Sequence, residues 1–269
     1  MDYQSLRMTD LKPEAETMTE RNDIKLYYEE KGAGTPLILL HGNGEDGSYF
    51  VHQMDYFSER YRVIALDTRG HGKSPRGEKP FTIRQFAEDL RAFLDEQGIE
   101  RADLLGFSDG GNIALIFAMR YPQRVCRLVL NGANLYSAGV KPSVQIPIIL
   151  GYRITSFLAG RKKAGGKKKG NRETARKAEL LGLMVNDPAI RPEELFENRD
   201  PEFIRIPKLV IAGDRDMIKD EHTRLIYASL PNAQLRVMKG SHFIAKESPD
   251  EFNRIVGEFL NNTKTGGSA

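Results

Sequence analysis

One stretch restricts the fold of this chain more than any other. Ala102-Asp103-Leu104-Leu105 is a mostly apolar run of strand length, Gly106-Phe107-Ser108-Asp109-Gly110-Gly111 follows it, and Asn112 to Met119 then continues with helical character. A buried strand that breaks into a helix across one turn has no space for side chains inside the bend. Glycines stand two positions before and two positions after the serine. Ser108 is therefore expected in a strained backbone conformation, with its hydroxyl held above the strand end. This is the G-x-S-x-G arrangement of a nucleophilic serine. An ordinary glycine-rich strand-to-helix turn would satisfy the same short pattern, so the rest of the chain has to decide.

Reading outward, the strand-then-helix rhythm repeats. Pro36 to His41 is apolar on both faces, as a central parallel strand requires, and ends in the flexible Gly42-Asn43-Gly44-Glu45-Asp46-Gly47. A helix is expected from Ser48 to about Arg60, a strand over Arg62 to Asp67, and the loop Thr68 to Pro75. Thr82 is placed to cap a helix running to Gln97, with Ile83, Phe86, Leu90 and Phe93-Leu94 on one face and Gly98 at its end. Cys126 to Leu130 is the next short strand. Ahead of all this, Thr17–Glu20 and Ile24–Glu30 alternate around Arg21-Asn22-Asp23 as an antiparallel hairpin, behind a polar lead-in to about Leu11.

The rhythm then stops. Between about Asn134 and Pro201 only helical patterns stand out, over Ile146–Leu158, Thr174–Val185 and Pro192–Asn198. It resumes with a strand at Lys208–Ala212, a helix from Asp220 to Leu230, a strand at Gln234–Met238 and a helix from Pro249 to Leu260, before a polar tail. The order predicts an α/β doubly wound, mostly parallel sheet with a helical insertion. Residues 1–134 and 202–269 form the expected core domain, and 135–201 an inserted helical lid bordering the strand ends where such sheets bind ligands.

Composition narrows the function classes. The 269 residues carry 40 basic and 37 acidic side chains, a net charge of +3, so no global field points to nucleic acid or a membrane. The longest apolar stretch, near Val144 to Leu150, is broken by Pro147 and far too short to span a bilayer. A single cysteine, Cys126, rules out an intrachain disulfide and is expected in inert core. No apolar leader is visible in the first residues, and the expected location is cytoplasmic.

A serine hydroxyl needs a base to take its proton, and the base needs an acid to fix its tautomer. Of the five histidines, only His222 and His242 follow Ser108 by enough chain to return to it. His222 sits behind Asp220-Glu221 in a helical pattern and is expected on the surface; His242, in the loop Lys239 to Phe243 beyond the last strand, is the expected base. Asp214 and Asp216, after the strand ending at Ala212, compete for the acid: Asp214 could instead brace its own turn, while Met217-Ile218 could bury Asp216. Spacing leaves both open.

These stretches resemble the α/β-hydrolase superfamily of esterases, C–C hydrolases and haloperoxidase-like enzymes. The resemblance runs from about Ile24 to Leu260 through Leu40-His41-Gly42-Asn43-Gly44, Asp67 to Ser74, Gly106 to Gly111, Gly213-Asp214-Arg215-Asp216 and Gly240-Ser241-His242-Phe243. It implies Asp216 as the acid and the backbone amides of Asn43 and Asp109 as the oxyanion hole. His41 is read as support beneath its loop, and Asp67 to Ser74 as a structural turn. Neither a metal nor an organic cofactor is implied; the expected partner is a small acyl substrate, with no nucleic acid and no membrane insertion. The implied reaction is hydrolysis of a small carboxylic ester, thioester or lactone, with an amide or a C–C bond as secondary targets. A ligand-sensing protein with little turnover, and a perhydrolase or acyltransferase, would need the same residues.

Two local features carry two readings each. The Asp109 carboxylate suits a helix N-terminus electrostatically; alternatively it faces the pocket and attracts a cationic group. Gly106 to Leu135 is similar to the valacyclovir-hydrolase branch, whose substrates are amino-acid esters, and this supports the second. Arg161 to Gly170, with six lysines or arginines, is either a solvated loop or a collar for anionic substrates.

Overall fold

The computed structural model describes residues 23–160 and 172–263. The hairpin arm Thr17–Glu20, the polar lead-in, the lysine-rich stretch 161–170 and the tail from 264 lie outside the described residues. In chain order come β1 (Tyr28–Lys31), β2 (Thr35–Leu40), α1 (Val51–Phe57), β3 (Tyr61–Leu66), α2 (Ile83–Glu96), β4 (Ala102–Phe107), α3 (Asp109–Arg120) and β5 (Val125–Asn131). Then follow α4 (Pro142–Gly160), α5 (Arg172–Asn186), α6 (Pro192–Phe196), α7 (Pro201–Arg205), β6 (Lys208–Gly213), α8 (Asp220–Ser229), β7 (Ala233–Met238), α9 (Ile244–Glu247) and α10 (Pro249–Asn262). Between β5 and β6 the described residues contain helices and no strand of the sheet.

The seven strands stand in the order β1-β3-β2-β4-β5-β6-β7. β1 runs antiparallel to β3, and every other neighbouring pair is parallel. This is the doubly wound, mostly parallel sheet expected from the alternation of strand and helix. The pleat explains how continuous apolar strands serve two cores. Ile38, Leu40, Ile64, Leu66, Leu104, Leu128 and Leu130 face one way, against α2 and α3. Leu37, Leu39, Val63, Ala65, Leu105, Phe107 and Val129 face the other, against Phe57, Phe252, Val256 and Phe259. Successive side chains point to opposite faces, so a strand covered on both sides must be apolar throughout.

Local signals are read out as the sequence suggests. Thr82 Oγ1 accepts from the Gln85 amide at 3.2 Å and starts α2, and Gly98 beyond its end takes φ +62°. Cys126 departs from expectation: it is only half-buried. It sits where the β4–β5 ladder is irregular between Ala102 and Leu104, outside the regular inward alternation.

The loop after β3 is built as a turn, in line with its structural reading. Asp67 accepts from the Gly47 and Lys73 amides at 2.7 and 2.8 Å, and Ser74 Oγ donates to the Asp67 carbonyl at 2.7 Å. Arg69 is fully buried beneath it. Its guanidinium forms a fork to both oxygens of Asp89, each at 2.7 Å, and reaches Asp23 at 2.6 and 3.0 Å. Removing one member of a buried charge pair strands the other in low dielectric. Asp89→Ala is therefore expected to lower the unfolding free energy by about 3 to 5 kcal/mol. Denaturant titration with an unchanged slope would measure it, and a loss below about 1 kcal/mol would show that water relaxes into the site.

Candidate active site

At the end of β4 the chain turns so sharply that Ser108 takes φ +53° and ψ −119°, one of three non-glycine residues with positive φ among those described. Such a conformation costs on the order of 1 to 3 kcal/mol and persists only where the surroundings impose it. Here the neighbours do so by close approach. A Cβ on Gly106 would collide with the Gly110 carbonyl, and one on Gly110 with the Leu40 carbonyl of β2. The Ser108 amide donates to the Asn131 carbonyl at 2.8 Å and its carbonyl accepts from the Asn112 amide at 3.1 Å. The serine is thus pinned between β5 and the first turn of α3.

His242 lies in the turn between β7 and α9, 4% exposed. Its Nδ1 donates to Asp216 Oδ1 at 2.7 Å, and the same oxygen accepts from the Ile218 amide at 2.8 Å. The carboxylate accepts only, so the proton sits on Nδ1 and the buried Nε2, which has no hydrogen-bond partner among the described residues, is left as a lone pair. Phe107 packs against the imidazole at 4.8 Å between ring centroids, and Tyr49 stacks behind Phe107 at 4.3 Å. Gly132, at φ +61°, closes the other side: a Cβ there would lie 2.7 Å from His242 Cε1 and 3.4 Å from Asp216 Oδ2. Asp214 does not reach the histidine. It is exposed, and its Oδ1 accepts from the Gly240 amide at 3.0 Å, bracing the loop that carries His242.

The loop after β2 approaches the serine from the other direction. A Cβ on Gly42 would stand 3.3 Å from Ser108 Cβ. The next residue, Asn43, donates through Nδ2 to Asp109 Oδ2 at 2.9 Å and to the Leu180 carbonyl of α5 at 3.0 Å. Asp109 also accepts from Asn112 Nδ2 at 3.3 Å, and Asn112 pairs with Asn134 through Nδ2 at 3.2 Å and through its carbonyl oxygen at 2.9 Å. Burial pushes the Asp109 carboxyl pKa up against these amide donors. Asp187, at the end of α5, is held at about 6 by its own burial and by the charge of Asp109.

The other histidines are structural in their contacts. His41 donates from Nδ1 to the Gly42 carbonyl at 2.7 Å and accepts at Nε2 from the Thr68 amide at 3.0 Å, supporting its loop as expected. Burial depresses it to about 4 and His71 to about 3. His222 is not on the surface. It is 3% exposed, lies under Gly139, and its Nε2 accepts from the Leu135 amide at 2.9 Å, which orders the chain leaving β5. Two acidic neighbours suggested an outward face, but the ring occupies the inward face of α8. Sequence reading assigned no role to Asn112, Asn134, Tyr49 or Asp187. Asparagines at the end of an apolar strand and in the first turn of an apolar helix were the available signal for the first two.

A seven-stranded sheet of this topology with a strained serine at its bend defines the α/β-hydrolase class. The family model for the alpha/beta hydrolase fold matches residues 35–160. A 2-hydroxy-6-oxononadienedioate/2-hydroxy-6-oxononatrienedioate hydrolase of Paraburkholderia phymatum is 30% identical over 280 aligned positions, covering 88% of this chain and 91% of the relative. Among solved structures, Est816, described as an N-acyl homoserine lactone degrading enzyme, has a TM-score of 0.68 at 27% identity over 88% of this chain and 98% of its own. The enol-lactonase from Burkholderia xenovorans LB400 has a TM-score of 0.71 at 24% identity, over 91% and 99% respectively. The chain belongs to the α/β-hydrolase family.

The acidic pair at the α5 end makes a pH prediction. A carboxyl whose folded pKa is raised binds a proton that the unfolded chain has released between the ordinary value of 3.8 and about 6, so its contribution falls as pH rises through that window. Asp187→Asn is expected to be more stable than the parent above pH 6, by on the order of 1 kcal/mol after screening, and to lose that advantage near pH 4. Paired unfolding curves across pH 4 to 7.5 test it; a pH-independent difference would refute it.

Proposed function

We propose that this protein is a serine hydrolase that cleaves a small carboxylic ester, thioester or lactone through an acyl-enzyme on Ser108. The observation that carries the reading is the His242–Asp216 pair at 2.7 Å, which leaves a buried, unpartnered Nε2 at the sheet end that also holds the strained serine. In this reading Ser108 Oγ attacks the acyl carbonyl carbon while His242 Nε2 takes its proton. Asp216 holds the imidazole in its tautomer and stabilises the imidazolium. The backbone amides of Asn43 and Asp109 donate to the developing oxyanion, worth roughly 3 kcal/mol each. The tetrahedral adduct then collapses, Nε2–H protonates the leaving alkoxide or thiolate, and water deprotonated by His242 releases the acid and restores Ser108.

Residues 135–201 act in this proposal as a lid over the core formed by 1–134 and 202–269. The Asn43–Leu180 hydrogen bond supports it, joining α5 to the loop that carries an oxyanion donor. The Asp109 side chain is read as a clamp, because both its oxygens already accept from Asn43 and Asn112. One cysteine and no disulfide fit a cytoplasmic setting. The similarity to a hydrolase of 2-hydroxy-6-oxo acids favours a second substrate class, in which the attacked carbonyl is a ketone and carbon leaves.

A fluorophosphonate probe is expected to label the protein and not Ser108→Ala; absence of labelling with no turnover of any ester would move the protein to the ligand-sensing class. Product analysis with alcohol or peroxide acceptors separates hydrolysis from acyl transfer. Asp216→Asn should lower kcat by about four decades, and Asp214→Asn by far less, since it only loosens the histidine loop. The opposite order overturns the assignment of the acid. Asp109→Asn should reduce turnover of amino-acid esters and of neutral esters of equal size alike; a selective loss for the amino esters would make Asp109 a receptor for a cation. A panel of esters, thioesters, lactones and a 2-hydroxy-6-oxo dienoic acid then sorts the substrate class.

A further inference from the structure

The outer face of α4 inverts the pattern of a helix made for water. Its buried residues are Gln145 and Thr155, both polar. Gln145 donates to the Met184 carbonyl of α5 at 3.3 Å, and Thr155 Oγ1 folds back onto the Gly151 carbonyl at 2.7 Å. Meanwhile Ile146, Leu150, Ile154 and Leu158 are 64, 58, 50 and 45% exposed. They recur every four residues and so form one row, roughly 18 Å long at the helical rise. Apolar residues scattered singly over a surface are ordinary, but a continuous row marks an interaction surface.

Charge says what that surface meets. The helix, PSVQIPIILGYRITSFLAG, has no acidic residue and one cation, Arg153, which is exposed between Leu150 and Ile154. The start of α5 exposes three cations, Arg172, Arg176 and Lys177, against one acid, Glu173. A second copy placed face to face on this row would bring Arg153 towards Arg153, with no carboxylate on α4 of either copy to receive it. An apolar layer beneath anionic headgroups has no such conflict: the aliphatic row enters the acyl boundary and the cations stay at the phosphates. No described helix is long and apolar enough to cross a membrane, so the contact is peripheral.

We propose that the outer face of α4, through Ile146, Leu150, Ile154, Leu158 and Arg153, docks this protein on the surface of anionic lipid membranes. The proposal is independent of the chemistry at Ser108, since the row points away from α5.

The test is flotation of the full chain with phosphatidylcholine vesicles, with and without phosphatidylglycerol, alongside sedimentation of the free protein. Binding is expected only with phosphatidylglycerol, and it should weaken as salt is raised. Leu150→Ser combined with Ile154→Ser should lower the partition coefficient about tenfold or more, with the melting midpoint unchanged because both side chains are exposed. Arg153→Gln should weaken binding to the anionic vesicles with its fold intact. Equal binding to both vesicle types, or no binding, overturns the proposal. So does a free-protein dimer that the double variant disperses without any vesicle binding, which would assign the row to a second copy.

Discussion

The backbone contacts at the end of β4 govern the site. α3 starts so close to β2 and β4 that only hydrogens fit at Gly106 and Gly110, and Ser108 between them has no relaxed conformation available. The strain is held by the two-sided core: leucines and isoleucines of the central strands bury both faces of the sheet, and α3 cannot withdraw without exposing Ile113, Leu115 and Phe117. Packing of ordinary apolar residues thus imposes the backbone conformation of one serine.

Around that point the polar groups are arranged by exclusion of water. His242 and Asp216 are nearly inaccessible, and an imidazole held by one carboxylate keeps a single tautomer. His41, His71 and His222 are buried too, but they lack a carboxylate partner, and burial keeps them neutral well below ordinary pH. The same residue type in the same interior therefore splits into a poised pair and three supports. The Asn43–Asp109–Asn112–Asn134 chain does comparable work on the other side, linking α5, the loop after β2 and the elbow through directed amide hydrogen bonds.

Much of this was legible in the chain. Alternating apolar runs predicted the doubly wound sheet, and the elements start and stop within a few residues of where Thr82, Gly98 and the strand compositions put them. Positions 106 to 111 announced the elbow through their glycines. What failed was anything that depends on the facing of a single side chain. His222 looked outward because Asp220 and Glu221 precede it, and Cys126 looked like core because the irregular β4–β5 ladder has no local signature. The choice between Asp214 and Asp216 could not be read from spacing, since both follow the same strand. Only their facing separates a brace on Gly240 from a partner for His242.

The apolar row on α4 shows the same division. Periodicity finds the helix, but an apolar stripe normally predicts the buried side, and here Gln145 and Thr155 took that place. The sequence alone determined the layered α/β architecture, the strand order's parallel character and the serine elbow, because those follow from local propensity, two-sided apolar strands and the space that only glycine leaves. The tertiary structure decided which carboxylate meets His242, that Asn43 and Asp109 are joined, and which face of α4 remains in solvent. Those outcomes depend on distances between residues far apart in the chain, which no local pattern encodes.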